Sequence, residues 1–214
     1  MRIVAIPVKA LSRAKSRLAP ALSSLERGAL TLAMLEDVMD ATQAVSGWDT
    51  WVVSPDEVAL EIAARRGVRA IPETRPSLSN AIRQVEALAK EQEADALTIL
   101  PGDLPLVTAE ALHHGFRTLG AVVLARSADG MGTSFLLRRP PRTIPARFGP
   151  DSFRRHVDLA NERGLPVAVL ERLELSFDLD RPGDILTLLS DGRRGRTREV
   201  CVQMDLGERL RHIA

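Results

Sequence analysis

A chain of 214 residues, 45% hydrophobic and 27% charged, is long enough for one domain with a substantial core and has an ordinary globular composition. Twenty-nine Lys and Arg against 28 Asp and Glu leave a formal charge of +1, so no global field draws it to nucleic acid or to a membrane, and 3% aromatics without tyrosine leave few platforms for stacking bases. One cysteine, Cys201, excludes an internal disulfide and fits a reducing cytoplasm, and no apolar run reaches the roughly 20 residues of a membrane span.

In chain order, residues 2–8 (RIVAIPV) read as a buried strand that runs into a basic loop, the reverse of a secretory signal. Lys9, Arg13, Lys15 and Arg17 put four cations into nine residues at that strand's carboxyl end. A loop there in an α/β domain is a frequent phosphate site, with arginine offering forked donors and lysine a point charge. A solvated basic turn has the same composition. Neither the glycine fingerprint of a dinucleotide site nor a Walker A sequence accompanies it. Residues 24–42 form an amphipathic helix, 49–54 a strand, 55–66 a helix and 68–71 a third strand. A polar loop over 73–80 leads to a helix from about 81 to 92, and the apolar run 94–100 is a strand buried on both faces. This alternation predicts a parallel sheet of βαβ units.

Pro101 and Gly102 stop the fourth strand and leave Asp103 at its carboxyl end, where open α/β sheets place their ligand crevice. A carboxylate on a proline-stiffened loop suits a magnesium ion at a nucleotide site; it equally suits a cap for a helix over 107–119. Residues 120–126 and 135–137 read as strands around Asp129-Gly130-Met131-Gly132-Thr133-Ser134, whose glycines fit a tight turn or close approach to a ligand. After a proline-rich connector over 140–145, RFGPDS opens a helix running to about 163. Its amides and the Ser152 hydroxyl suit a phosphate, while Asp151 or Ser152 equally suits a plain cap. Late strands are expected over 166–170 and 173–178. Asp178 and Asp180, two apart in extended chain, face one side and suit a cation or a helix cap. The tail is basic from Asp191, then alternates over 200–204. It reads as a loop and a strand used in packing or dimerisation, with Cys201 a small buried hydrophobe. None of the four histidines, His113, His114, His156 and His212, stands in a triad-like motif.

Taken together and in this order, IPVKALSRAKSRLAP, LPGDLPL, DGMGTSFLL, RFGPDSFRRH and FDLDRPGDI resemble the phospholactate guanylyltransferase family of coenzyme F420 biosynthesis, a branch of the MobA-like nucleotidyltransferases, over roughly residues 3–190. The resemblance implies a single-domain, GT-A-like (Rossmann-like) α/β fold with a mostly parallel sheet flanked by helices. It implies transfer of a guanylyl group from GTP to phosphoenolpyruvate, 2-phospholactate or 3-phosphoglycerate, with Mg2+ as cofactor and release of pyrophosphate. Residue by residue, it makes Asp103, Asp178 and Asp180 the metal ligands and sets Lys9, Lys15 and Arg17 on the GTP phosphates. Asp103, Lys15 and Arg17 are then the catalytic residues; Ser79 and Asn80 stand beside the nucleotide, and Thr133, Gly149 and Ser152 contact the acceptor. The single cysteine places the expected protein in the cytoplasm, the tail leaves a homodimer open, and the resemblance adds a downstream deazaflavin transferase as a candidate partner. Two places depart from the family pattern: Ser77-Leu78-Ser79-Asn80-Ala81 stands for Gly-Leu-Asn-Ala-Ala, and Ser134 for Asn. The rivals are a relative using CTP or ATP and a non-catalytic nucleotide-binding protein on the same fold. An acceptor phosphate is anionic at neutral pH, so this chemistry needs positioning and charge neutralisation but no general base, in keeping with the histidine pattern.

Overall fold

The computed structural model describes residues 1–211. Seven strands, β1 (Arg2–Pro7), β2 (Asp49–Ser54), β3 (Arg69–Pro72), β4 (Ala96–Ile99), β5 (Val122–Arg126), β6 (Thr133–Arg138) and β7 (Val167–Leu170), form one sheet in the order β3-β2-β1-β4-β6-β5-β7. All neighbours are parallel except β6, which is antiparallel to both β4 and β5. The connection from β5 to β6 spans only residues 127–132, too short for a helical crossover, so the chain must reverse there. The mostly parallel α/β sheet expected from the sequence is therefore present, with the GT-A-like reversal inside it.

Strand side chains alternate between two apolar layers. On one face Val4 and Ile6 pack with Leu35, Val38 and Met39 of α1 (Ser24–Gln43), with Ala59 and Ala63 of α2 (Glu57–Arg65), and with Leu112 and Phe116 of α4 (Ala109–Arg117). On the other, Ile3 and Ala5 pack with Ile82, Val85 and Ala89 of α3 (Leu78–Glu91). Farther along that face, Phe153 and Ala160 of α5 (Ser152–Asn161) cover Val122, Leu124 and Leu136. Local chemistry sets the helix starts. Ser23 and Glu26 exchange hydrogen bonds in a capping box at α1, and the Thr108 hydroxyl accepts the Ala111 amide at α4.

Two late expectations are corrected. Leu173–Ser176 is a short helix, α6, and residues 177–180 are not part of the sheet, because an alternation as short as LELSFD fits one helical turn as well as a strand. The tail forms helices α7 (Pro182–Asp191), α8 (Arg196–Gln203) and α9 (Leu206–Arg211). The expected strand over 200–204 is helical: Val200, Cys201 and Met204 share one helix face, and Cys201, Leu206 and Leu210 close over Leu30 and Met34 of α1. The α8 start is capped from α1, where the Asp37 carboxylate accepts the amides of Arg196 and Thr197. Among the described residues no helix is long and apolar enough to cross a membrane.

Candidate active site

The carboxyl ends of the parallel strands and the amino end of β6 open into one cavity of about 680 Å³. Strand order distributes its lining. Glu73, Ser77 and Leu78 lie past β3 at one end, Lys9, Lys15 and Asp103 past β1 and β4 in the middle, and Thr133, Gly149 and Ser152 at the β6 end.

The loop after β1 is folded as two short 3-10 turns, Leu11–Arg13 and Ser16–Leu18. Asp56, whose other oxygen caps α2, accepts the Leu11 amide at 2.9 Å and holds the first turn; buried Leu18 anchors the second. Between them Lys15 adopts a left-handed backbone, φ 51°. Its Nζ lies 2.9 Å from Asp103 Oδ2 and 2.9 Å from Asp180 Oδ1, with the side chain only 5% exposed. Burial works against that charge, but the carboxylates of Asp103 and Asp180 outweigh it and hold the ammonium above the ordinary lysine value. Arg17 Nη1 reaches Asp180 Oδ2 at 3.0 Å.

Asp103 is not a helix cap, since Thr108 caps α4 and the Asp103 carboxylate meets Lys15. Its loop lies close over β1: a Cβ at Gly102 would stand 3.2 Å from Val8 Cγ2 and 3.3 Å from Ile6 Cγ2. The Asp103 carbonyl accepts the Leu179 amide at 3.2 Å, which draws residues 177–180 alongside. Asp184 accepts the amides of Asp180 and Arg181, so the carboxylates of Asp178 and Asp180 are not spent on the α7 start. Burial, then the Asp103 carboxylate, push Asp178 up, and the Ala128 amide at 3.2 Å offsets part of that. Asp180 goes the other way: burial would raise it, but Lys15 and Arg17 hold it low. Among the described residues no group of three or more His, Cys, Asp or Glu stands in a metal-holding arrangement; the Lys15 ammonium lies between Asp103 and Asp180.

At the β6 end, Asp129 Oδ1 accepts the Ser127 hydroxyl and the amides of Met131 and Gly132, closing the glycine turn. Gly149 has φ 116°, a conformation that other residues rarely adopt. Asp151 makes no side-chain cap bond, and the Ser152 hydroxyl, on the first residue of α5, donates to Thr133 Oγ1 at 3.1 Å. A capping role for either residue is thereby excluded. Thr133 Oγ1 is also 3.0 Å from His156 Nδ1, and His156 Nε2 accepts the Arg147 amide at 2.8 Å. Ser134 donates to the Arg126 carbonyl, a use internal to the sheet.

His156 is fully buried, and burial, then Arg138 and Arg155, lower its pKa from 6.5 to about 4. A depressed value means that neutral His156 contributes stability above pH 6.5, lost as pH falls from there through about 4. That gap corresponds to about 3 kcal/mol. Denaturant unfolding at pH 7 and pH 4 should therefore show a steep decline in the parent that flattens in His156→Gln. An equal decline in both would assign it to other groups.

The family described as Guanylyl transferase CofC like matches residues 1–211. The chain belongs to that family. Within it, the phosphoenolpyruvate guanylyltransferase of Rubrobacter xylanophilus is 37% identical over 190 residues, 87% of this chain and 93% of that protein. The 3-phospho-D-glycerate guanylyltransferase of Phenylobacterium zucineum is 38% identical over 87% of this chain and 89% of that protein. The 2-phospho-L-lactate guanylyltransferase of Methanothermobacter thermautotrophicus is 36% identical over 91% and 86%. Among solved structures, a nucleotidyl transferase from Methanothermobacter shares the fold at 18% identity, with a TM-score of 0.60 over 89% of this chain and 97% of that one.

For this CofC-like chain, the cavity brings together nine of the residues singled out from the sequence: Lys9, Lys15, Arg17, Asp103, Thr133, Gly149, Ser152, Asp178 and Asp180. Ser79 and Asn80, expected beside the nucleotide, do not line it. Helix α3 starts at Leu78, three residues earlier than expected, so its turn points Leu78 and Ala81 at the cavity and carries Ser79 and Asn80 elsewhere, where the Asn80 carboxamide accepts from Arg83. Two residues escaped the sequence reading. Glu73 had no motif around it. His156 stands four residues after Ser152, and that helical spacing was the available signal.

Proposed function

We propose that this chain transfers the guanylyl group of GTP to the phosphate of phosphoenolpyruvate, 2-phospholactate or 3-phosphoglycerate and releases pyrophosphate, in the cytoplasm, as a step of coenzyme F420 biosynthesis. The observation that carries the reading is convergence. A four-cation loop, three carboxylates and a hydroxyl-lined corner, among them Lys15 and Asp180 at 165 residues apart, meet in one cavity of a CofC-like guanylyl transferase. An oxygen of the acceptor phosphate attacks the α-phosphorus of GTP, the bond from that phosphorus to the bridging oxygen of the β-phosphate breaks, and pyrophosphate leaves with the electron pair. No proton has to be removed, so a site built from cations, carboxylates and hydroxyls suffices.

Lys9, Lys15 and Arg17 neutralise the triphosphate and the leaving pyrophosphate; Thr133, Gly149 and Ser152 seat the acceptor. Three hard carboxylates line one cavity, the ligand type magnesium takes, but with the Lys15 ammonium between Asp103 and Asp180 they stand in no metal-holding arrangement, so an ion would have to displace Lys15; Asp178, pushed up by burial and then by Asp103, has charge that a divalent cation would relieve. Asp103, Asp178 and Asp180 would hold that ion, which when bound supplies charge neutralisation at the phosphates. In this reading the nucleoside takes the Glu73 end and the acceptor the Thr133 end, which the strand order supports by setting the two groups of lining residues at opposite ends of the cavity.

Purified protein with Mg2+ and GTP should release pyrophosphate only when one of the three acids is added. The relatives use different acids, so all three are tested, coupled to the downstream deazaflavin transferase because the product is a labile anhydride. Turnover with ATP or CTP and another acceptor, and none with these acids, would overturn the assignment.

A further inference from the structure

Beneath the acceptor end of the cavity, Ser152, Thr133 and His156 form a buried chain of hydrogen bonds, and we propose that His156 is a positioning residue that fixes its direction, so that one hydroxyl proton of the Thr133–Ser152 pair is always presented to the cavity as a donor for an anionic oxygen of the acceptor. This rests on the acceptor reading above.

The argument is a count of protons. The Arg147 amide can only donate, so His156 Nε2, 2.8 Å away, carries a lone pair. A neutral imidazole has one ring proton, which must then sit on Nδ1 and be donated to Thr133 Oγ1 at 3.0 Å. His156 is fully buried with no carboxylate partner, and burial holds it neutral. Thr133 and Ser152 share one bond at 3.1 Å, which uses one of their two hydroxyl protons. Among the described residues neither hydroxyl has another protein acceptor, and both residues line the cavity. One proton is therefore left for the cavity, whichever hydroxyl carries it. The opposite tautomer would reverse the chain. Thr133 would donate to Nδ1 and Ser152 to Thr133, both protons would be consumed, and the cavity would meet lone pairs that repel an anion. His156 itself does not line the cavity. Its Arg147 bond and its edge-on contact with Phe148, 5.3 Å between centroids, also hold the segment that carries Gly149.

Two measurements test this. In protein labelled with 15N-histidine, His156, assigned by loss of its signals in His156→Gln, should show the neutral tautomer protonated at Nδ1 at pH 7; an Nε2-protonated ring or an imidazolium overturns the proposal. In kinetics with the acid that turns over, His156→Leu should raise the acceptor KM about tenfold or more and leave the GTP KM within about twofold, and His156→Asn, which returns an amide donor toward Thr133, should recover most of the loss. An unchanged acceptor KM, an equal rise in both KM values, or no recovery with Asn sinks it. If His156→Leu does not fold, the tautomer in the parent protein decides. If no acid turns over, the acceptor reading falls and this inference with it, even where the spectrum shows the Nδ1 proton; turnover with the wrong tautomer removes the inference alone.

Discussion

Asp103→Asn is expected to fold like the parent and to lose about a hundredfold or more in turnover. The side chain is a third exposed and ends in an ion pair with Lys15, and an amide of the same shape keeps its oxygen near that ammonium. The backbone contacts that place the loop, the Leu179 amide on the Asp103 carbonyl and Gly102 against β1, do not involve the carboxylate. What changes is the charge at the centre of the cavity. On the proposed function, one of three carboxylates is neutralised where a cation and a triphosphate would be balanced, and removing a metal ligand costs on the order of 3 kcal/mol of transition-state stabilisation, about a hundredfold in rate. Pyrophosphate release at saturating GTP and Mg2+, beside thermal unfolding of the same preparation, separates the two effects. Equal turnover in variant and parent would remove Asp103 from the site.

Lys15→Met should damage both activity and stability. Its ammonium is shared between Asp103 and Asp180, and Arg17, which also reaches Asp180, is largely exposed and screened. Without Lys15, Asp103 and Asp180 stand beside Asp178, which burial and then their charges already push up. Removing one partner of a buried pair costs about 3–5 kcal/mol; since both carboxylates here are about a third exposed, a loss of about 2 kcal/mol in unfolding free energy is expected. Turnover should fall by about a hundredfold or more, with a raised GTP KM, because on the proposed function a cation that neutralises the phosphates is lost. An unchanged GTP KM with lowered stability would make Lys15 a structural ion-pair residue only.

Much of the architecture was legible because its signals are local. The apolar runs ending in Val8 and Leu100, the Pro101-Gly102 stop and the helices between them mark a parallel βαβ half, and they put Asp103 at a strand end before any contact is known. The tail was misread for the converse reason. Val200, Val202 and Met204 satisfy a short alternating pattern while Val200, Cys201 and Met204 satisfy a helix face, and the choice fell to Asp37 on α1, which caps α8 from 160 positions away. The α3 start was missed by three residues because the Ser77 hydroxyl cap on the Asn80 amide is one of several polar choices in that loop.

By itself the sequence determined the α/β class, the βαβ half, the basic loop after the first strand and the residue types available for phosphate chemistry. Only the tertiary structure decided which of them work together. Asp103 and Ser152 each read equally as cap or ligand, because a short polar side chain after a strand or before a helix satisfies both local patterns. The cap reading fell to partners far along the chain: the Asp103 carboxylate meets Lys15, 88 residues away, and the Ser152 hydroxyl meets Thr133, 19 away. Local propensity acts over about one helical turn, whereas a buried polar group bonds to whatever packing brings within about 3 Å, and that is set by how the sheet orders its strands.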